Sequence, residues 1–233
     1  MGHKKLIRFA AIKTFPNVFE YPTDMKGNWH QHFGNQNPIV LELACGRGEY
    51  TVGLSEMYPD KNFIGIDIKG NRMFIGAKKC LDANRNNAAF LRTQIAMLPD
   101  YFAAGEVSEI WITFPDPQLR VSKAKKRLTF PRYLRLYQQI MQPQGSVHLK
   151  TDSPDLFHFS KLVAELYQVP IVEENQDVYA SSKKPELIGI KTYYEGLDIA
   201  QSNRIFYLHL QLPAQISGDD SGLLQRLKEQ AGS

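Results

Sequence analysis

The strongest constraint on the fold is an alternation along the chain between short β-branched runs and segments whose apolar residues recur at helical spacing. Because helical segments separate most of the runs, they predict βαβ units, a parallel sheet and an α/β fold. No helical pattern lies between the last two runs, so that pair is predicted to be antiparallel. The seven predicted strands are residues 39–43, 62–67, 88–92, 108–113, 146–151, 169–173 and 204–212.

Longer helices are predicted between these strands. Ser153 is expected to cap the N-terminus of the helix that follows it, with Pro154 in the first turn. The predicted helices are residues 50–58, 71–83, 131–141 and a segment from 154 through Leu166.

The patterning divides the 233 residues into three parts. Residues 1–37 show no clear periodicity and are predicted to form a basic N-terminal arm. The strand and helix alternation occupies residues 38–212, which are predicted to be one domain with a full core and no need of disulfides. Residues 213–233 are polar at first and are predicted to be a flexible C-terminal tail, with one helical turn near residues 223–227.

The composition excludes several classes of protein. Apolar residues make up 43% of the chain and charged residues 22%, which excludes a disordered or low-complexity protein. With two cysteines, Cys45 and Cys80, neither a disulfide scaffold nor a Cys-rich zinc site is expected, and no metal is. The basic N-terminus has no long apolar stretch, so neither a secretory signal nor a membrane helix is predicted. A cytoplasmic protein is therefore expected.

Two basic segments stand out against a net charge of only +4. Four basic residues precede the first acid, Glu20, and residues 120–135 hold seven basic residues and no acid. This distribution favours a polyanionic partner such as a nucleic acid. The alternative is a solvated helix face and a loose terminus.

A glycine-containing loop follows the first predicted strand of the domain, in IVLELACGRGEY (39–50). Gly46 and Gly48 allow close approach of a ligand to the backbone, at the place where a doubly wound sheet binds nucleotides. Asp67 ends the next strand, where a carboxylate can bind both ribose hydroxyls of a nucleoside. Asp67 as an ordinary residue of a turn is the alternative.

The residue types around this loop favour S-adenosylmethionine over NAD. A dinucleotide loop requires G-x-G-x-x-G, and Thr51 stands at the position of the third glycine. Glu42, inside the strand, would repel a pyrophosphate but would attract the cationic methionine moiety of S-adenosylmethionine. A strand residue satisfied by backbone amides is the alternative for Glu42. Gln94, after the third strand, is predicted either to contact an adenine edge or to cap a loop.

The segment Phe114-Pro115-Asp116-Pro117 follows the fourth strand. Its prolines are expected to hold the Asp116 carboxylate in an extended conformation beside the cofactor crevice. Basic residues follow at once, which fits methylation of a base within a polyanion. The alternative is a proline-rich turn in which Asp116 caps its own backbone. The basic residues expected to contact the polyanion's backbone are Arg120, Lys123, Lys125, Lys126 and Arg127.

In these motifs the chain resembles the bacterial tRNA (guanine-N7)-methyltransferases. The resemblance covers residues 38–212 and is carried, in matching order, by ELACGRGEY (42–50), FIGIDIKGNRMFIGAKK (63–79), TFPDP (113–117), KKRLTFPRYL (125–134), KTDSPDLF (150–157) and TYYE (192–195). It implies a Rossmann-like S-adenosylmethionine-dependent methyltransferase fold with a mostly parallel seven-stranded sheet, an antiparallel last strand and helices on both faces. It also implies a guanosine in the variable loop of tRNA as the methyl acceptor. No membrane partner is expected, and the protein is expected to be a monomer or homodimer.

The resemblance assigns roles by position. It places Glu42, Asp67, Gln94 and Asp116 at the cofactor, Asp116 also as the catalytic residue, and Arg120, Asp152, Thr192 and Glu195 at the substrate. The chain departs from the family pattern at Ala44, where glycine is usual, and at Gln94, where Asn or Asp is usual. It also departs at residues 118–123, which replace Trp-Pro-Lys-Lys-Arg-His.

Structural roles remain open for the late motifs, since Asp152 can help to cap a helix and Thr192 and Glu195 have capping-box spacing. For the whole chain, one alternative is a catalytically idle RNA-binding protein. Another is an exocyclic-amine methyltransferase, a class that typically uses Asn/Asp-Pro-Pro-aromatic. An NAD oxidoreductase is disfavoured by Thr51.

Overall fold

A computed structural model describes residues 3–197 and 199–232. Its strands are β1 (Val18–Glu20), β2 (Ile39–Leu43), β3 (Asn62–Asp67), β4 (Ala88–Arg92), β5 (Val107–Thr113), β6 (Met141–Thr151), β7 (Ile171–Asn175) and β8 (Phe206–Gln211). They form one sheet in the order β1-β4-β3-β2-β5-β6-β8-β7. All neighbouring strands pair in parallel except β8, which is antiparallel to both β6 and β7. The predicted α/β architecture with a mostly parallel sheet is confirmed, with β1 as one strand more than expected.

Helices cover both faces of this sheet. Ser153 caps the helix Pro154–Leu166 as predicted, because its Oγ accepts a hydrogen bond of 3.2 Å from the Leu156 amide. In the part of the chain that the structure describes, no helix combines the length and apolarity needed to cross a bilayer. The helices are α1 (His3–Ile12), α2 (Trp29–Phe33), α3 (Glu49–Met57), α4 (Gly70–Asp82), α5 (Leu98–Tyr101), α6 (Pro131–Gln138), α7 (Pro154–Leu166), α8 (Val178–Ser181), α9 (Pro185–Ile188) and α10 (Ser221–Gly232).

The central strands are buried on both faces, as a parallel sheet covered by helices requires. All five residues of β2 are buried. Successive side chains alternate between two cores, so that Leu41 and Ile110 join the larger cluster while Val40 and Trp111 join a second cluster on the opposite face.

The N-terminal segment, predicted to be an arm, carries α1, β1 and α2 and packs against the domain. Trp29 is fully buried, and its indole nitrogen donates a hydrogen bond of 2.9 Å to the Tyr101 carbonyl. Ile12 is also buried and lies where a Cβ on Gly70 would come within 2.5 Å. β1 and α2 are too short to show a period in the sequence, and the partners of the whole segment lie far along the chain.

The C-terminal segment also differs from the expected flexible tail. Within it, α10 packs Leu223 and Leu227 into the larger core. Arg135 of α6 holds Asp220, just before α10, through an ion pair of 3.0 Å. A single short amphipathic helix gives little signal in a sequence, and its core contacts stabilise it here.

Candidate active site

The predicted site residues lie at one side of the sheet, where β2 to β6 end, here called the carboxyl edge. The ladder registers align these ends, since Leu43 pairs with both Ile66 and Ile112, and Thr113 pairs with Lys150. The loop between α9 and β8 returns to the same edge, because Phe206 at the start of β8 pairs with Thr151. Ligands of doubly wound sheets bind at such an edge. The carboxyl edge brings together the predicted site residues Glu42, Gly46, Gly48, Asp67, Gln94, Asp116, Asp152, Thr192 and Glu195.

The loop between β2 and α3 turns through three residues with positive φ: Ala44 at 55°, Gly46 at 57° and Gly48 at 72°. Gly48 is required for a second reason, since a Cβ there would lie 2.4 Å from a ring carbon of Phe90. Ala44, which replaces the glycine usual in the resembling family, keeps the same turn at a cost of about 1–2 kcal/mol.

Glu42 is buried, with 3% of its surface exposed. Its carboxylate accepts hydrogen bonds from the Thr51 amide (2.7 Å), the Thr51 hydroxyl (2.6 Å) and the Thr113 hydroxyl (3.2 Å). Burial raises the pKa of Glu42 to about 7, and the bonds from Thr51 oppose that rise. The carboxylate therefore changes charge near neutral pH, and a cation beside it would favour the ionised form.

Asp67 bridges two turns at the end of β3. One oxygen accepts a bond of 2.9 Å from the Gly46 amide, and the other accepts one of 2.8 Å from the Lys69 amide. Gln94 lies exposed just before a 3₁₀ turn (Ile95–Met97), and its side chain makes no capping hydrogen bond. Asp67 thus stabilises the turn at Lys69 and also binds the glycine loop at Gly46. The side-chain amide of Gln94 is exposed and available to a ligand.

These contacts decide between the two cofactor chemistries. A pyrophosphate binds to free amides of a glycine loop and a helix N-terminus. Here the Gly46 amide is used by Asp67, and the Thr51 amide in the first turn of α3 is used by Glu42. Two carboxylates take the place of phosphates, so the loop fits a nucleoside that carries a positive charge, as S-adenosylmethionine does.

The Pro-Asp-Pro segment leaves the sheet directly after β5. The Phe114 amide donates a bond of 2.8 Å to the Lys150 carbonyl of β6, and Phe114 and Gln118 turn the chain with φ of 47° and 48°. Asp116 is exposed between them, and one of its oxygens accepts a bond of 3.0 Å from the Gln118 amide. The alternative capping role is therefore present, and it orients the carboxylate at the carboxyl edge.

The basic loop after Asp116 contains a short 3₁₀ helix (Val121–Lys126). Arg127 differs from the expectation that it contacts the polyanion, because only 5% of it is exposed. Its guanidinium donates 3.2 Å bonds to the carbonyls of Gln118 and Leu119 and stacks on Phe159. Arg127 therefore shapes the loop from inside. The exposed cations of the loop are Arg120, Lys123, Lys125 and Lys126.

The late motifs make internal contacts. Asp152 accepts a bond of 3.3 Å from the Ala200 amide and so holds the loop before β8 rather than the start of α7. Thr192 and Glu195 form the capping-box contacts, with the Glu195 amide 3.1 Å from the Thr192 hydroxyl and the Thr192 amide 3.3 Å from the Glu195 carboxylate. Tyr179 also donates its hydroxyl to Glu195, whose side chain is only 6% exposed.

Sequence reasoning missed Lys150, the penultimate residue of β6. Its side chain is fully buried, and its ammonium lies 3.3 Å from the Glu195 carboxylate. The signal that could have revealed it is a lysine inside a predicted interior strand, in VHLKT (147–151). A charge is rarely placed there without a partner.

The two tyrosines of TYYE were also not singled out. The Tyr193 ring lies 3.6 Å below the Arg47 guanidinium, and its amide donates a bond of 3.2 Å to Glu49. Tyr194 approaches Gly46, where a Cβ would lie 3.5 Å from its ring. The segment thus rests directly on the cofactor loop.

Comparison with known proteins identifies the family. The family described as "Putative methyltransferase" matches residues 36–207. The tRNA (guanine-N(7)-)-methyltransferase of Bacteroides thetaiotaomicron is 49% identical over 92% of this chain and 88% of its own length. That of Christiangramia forsetii is 43% identical over 91% of this chain and 100% of its own. That of Brevibacillus brevis is 33% identical over 84% and 91%.

Solved structures agree on the fold alone. The 16S rRNA methyltransferase KamB superposes with a TM-score of 0.61 at 15% identity, covering 84% of this chain and 99% of its own. The 16S rRNA (adenine(1408)-N(1))-methyltransferase of Catenulisporales acidiphilia superposes with a TM-score of 0.58 at 12% identity, covering 84% and 97%. The carboxylate-lined loop, the Pro-Asp-Pro segment and the sequence relationships together show that this chain belongs to the tRNA (guanine-N(7)-)-methyltransferase family.

Proposed function

We propose that this protein transfers a methyl group from S-adenosylmethionine to N7 of a guanine in the variable loop of tRNA, giving N7-methylguanosine. The observation that carries the proposal is the meeting, at one edge of the sheet, of a carboxylate-lined glycine loop and the Pro-Asp-Pro carboxylate. The relatives that are 33–49% identical over most of the chain bear the name of this activity.

Five residues and Asp116 are proposed to hold the cofactor. Glu42 faces its cationic methionine moiety, Gly46 and Gly48 admit it to the backbone, Asp67 accepts bonds from its ribose, and Gln94 contacts its adenine. S-adenosylmethionine, when bound, supplies an electrophilic methyl group beside Asp116. The loop residues orient it and exclude water from it.

Asp116 is proposed to act electrostatically and not as a base. N7 of guanine carries an exposed lone pair, so no proton has to be removed before it attacks. Positive charge then develops on the purine, and a carboxylate held at the edge by its contact with the Gln118 amide stabilises that charge. Its geometry is set before binding, which saves reorganisation during the reaction.

The substrate side is proposed to recognise guanine and the RNA backbone separately. Asp152 carries a carboxylate suited to the adjacent N1–H and N2 amine of guanine, which adenine lacks. Arg120 and the exposed lysines of the same loop contact phosphates. Thr192 and Glu195 contribute through the turn that they fold beside the site. The target base has to leave its stacked position to reach the edge.

We also propose that the protein works in the cytoplasm, where its tRNA substrate is found, as a monomer or homodimer. The proposal as a whole is tested by incubating the purified chain with unmodified bulk tRNA and methyl-labelled S-adenosylmethionine, followed by nucleoside analysis. We expect label in N7-methylguanosine. Label in another nucleoside would refute the reaction type. Binding of tRNA without transfer would assign the protein as an idle RNA-binding member of the family.

A further inference from the structure

Lys150 places a charge where β6 is completely enclosed. Its ammonium donates to the Leu187 carbonyl at 2.7 Å and the Ile190 carbonyl at 3.3 Å, and it lies 3.3 Å from the Glu195 carboxylate. Three aromatic rings surround it at 5.5–5.7 Å from their centroids, those of Tyr50, Phe114 and Tyr179. All the donors of one buried ammonium are thus matched by acceptors or ring faces.

The three acceptors belong to one stretch of chain, residues 185–197, here called the cap segment. This segment contains α9 and the turn of TYYE. A single ammonium of the sheet thus contacts the cap segment at three points. Burial lowers the pKa of Lys150, and the nearby Glu195 carboxylate opposes that shift.

At its far end the cap segment contacts the cofactor loop. Tyr193 stacks under Arg47 and donates its amide to Glu49, and Tyr194 lies against Gly46. The backbone of Lys150 also accepts the Phe114 amide, which starts the segment that carries Asp116. One residue is therefore linked to both halves of the site, and among the residues proposed for the site it contacts the side chain of Glu195.

We infer that Lys150 is a positioning residue, which holds the cap segment against the cofactor loop through Glu195 and the carbonyls of Leu187 and Ile190. The inference rests on the proposed function for what the loop binds. Lys150 itself touches neither cofactor nor guanine. Its effect on binding passes through Tyr193 and Tyr194.

The first experiment measures, without any ligand, how strongly Lys150 holds the cap segment in place. Hydrogen exchange by mass spectrometry compares the wild type with Lys150→Met, which keeps a long apolar side chain and removes the ammonium. We expect exchange of peptides covering residues 187–197 to become at least tenfold faster, with the central strands unchanged. Lys184→Met is the matched control, because Lys184 lies in the chain just before α9 and pairs with Glu173 at the surface. Unchanged exchange of the cap segment in Lys150→Met would overturn the inference.

The second experiment is a double-mutant cycle on binding of S-adenosylhomocysteine, measured by calorimetry. We expect Lys150→Met to weaken binding at least tenfold, and Tyr193→Ala, at an exposed ring of the cap segment, to weaken it several-fold. The double variant should bind no more weakly than Lys150→Met alone, since both changes release the same segment. Additive losses, or unchanged affinity in Lys150→Met, would show that Lys150 is only part of the core.

If Lys150→Met fails to fold, Glu195→Gln replaces it in both experiments under the same criteria, because it removes the other charge of the pair. Failure of the wild type to bind S-adenosylhomocysteine would contradict the proposed function. The exchange experiment would still decide whether Lys150 holds the cap segment in place.

Discussion

The two halves of the carboxyl edge are built differently. On the cofactor side, Glu42 and Asp67 are held by amides and hydroxyls of the adjoining loop and helix, within about one βαβ unit. On the substrate side, Lys150 holds the cap segment from 37 residues or more away in the chain, whereas Arg127 binds carbonyls only eight and nine residues before it. The proposed cofactor side is therefore set mainly by local structure, whereas the cap segment depends on long-range contacts.

This difference predicts where substitutions act. Changes on the cofactor side should alter affinity for S-adenosylmethionine with little effect on the loops that receive RNA. Changes on the substrate side should separate into those that touch the reacting base, those that contact phosphate, and those that keep the loops in place.

The largest effect is expected for Asp116→Asn, which keeps the shape of the side chain and removes its charge. If the carboxylate stabilises the developing charge on guanine, the single-turnover rate of methyl transfer should fall about 100-fold or more. Affinity for tRNA should change much less. Asp60→Asn, at an exposed turn on the opposite edge, is the control. A parallel loss of rate and tRNA binding would instead make Asp116 a recognition residue.

Asp67→Ala tests the cofactor side. We expect cofactor affinity to weaken by about 1–3 kcal/mol, because charge-assisted bonds to ribose are lost along with the link to the Gly46 amide. Calorimetry with S-adenosylmethionine measures the change, and affinity for tRNA serves as the internal control. An unaltered affinity for the cofactor would remove Asp67 from the site.

The raised pKa of Glu42 predicts that cofactor affinity depends on pH. Since its pKa is raised to about 7 and a cationic ligand favours its ionised form, cofactor affinity should rise about tenfold between pH 6 and pH 8. Glu42→Gln should abolish this rise. Glu56→Gln, an exposed change on α3, should leave it in place. The same affinity at both pH values in the wild type would contradict the role given to Glu42.

The stability of the ligand-free protein should depend on Glu42 in the opposite sense. The folded state binds more protons than the unfolded state between pH 4.5 and about 7. The contribution of Glu42 to the free energy of unfolding is therefore present below that window and is lost as pH rises through 7. Denaturant titrations measure the free energy of unfolding at pH 5 and at pH 8. Its change between these two pH values should be smaller for Glu42→Gln than for the wild type.

The smallest effect distinguishes exposed cations from the buried one in the basic loop. Lys125→Ala with Lys126→Ala should make the salt dependence of tRNA binding shallower by about 1–2 units of slope, since counterion release falls with each lost phosphate contact. Lys26→Ala, at an exposed lysine near the opposite edge, is the control. Arg127→Ala should instead lower the free energy of unfolding, because its buried guanidinium binds two carbonyls of the loop. Equal salt slopes for the lysine variants and the wild type would assign these lysines to a merely solvated face.

Much of the cofactor side was predictable from the sequence. The apolar patterns of β2 and β3 predict where these strands end, and their parallel pairing places both ends at the same edge. The residues at or next to these ends are Glu42, Gly46, Gly48 and Asp67. The T-x-x-E spacing also predicted the capping contacts of Thr192 and Glu195, although only as one of two alternatives. The burial of Arg127 was not predictable, since an arginine in a basic run has the same sequence signal whether it faces solvent or the core.

By itself, the sequence determined the order of strands and helices, the parallel sheet, and the glycine and proline positions that shape the two central loops. These features depend on the local periodicity and backbone preferences of neighbouring residues. Only the tertiary structure decided that the N-terminal segment and α10 complete the core, that Lys150 is paired with Glu195, and that the cap segment lies on the cofactor loop. Those contacts join residues far apart in the chain, and their stability comes from burial and charge pairing that no local pattern records.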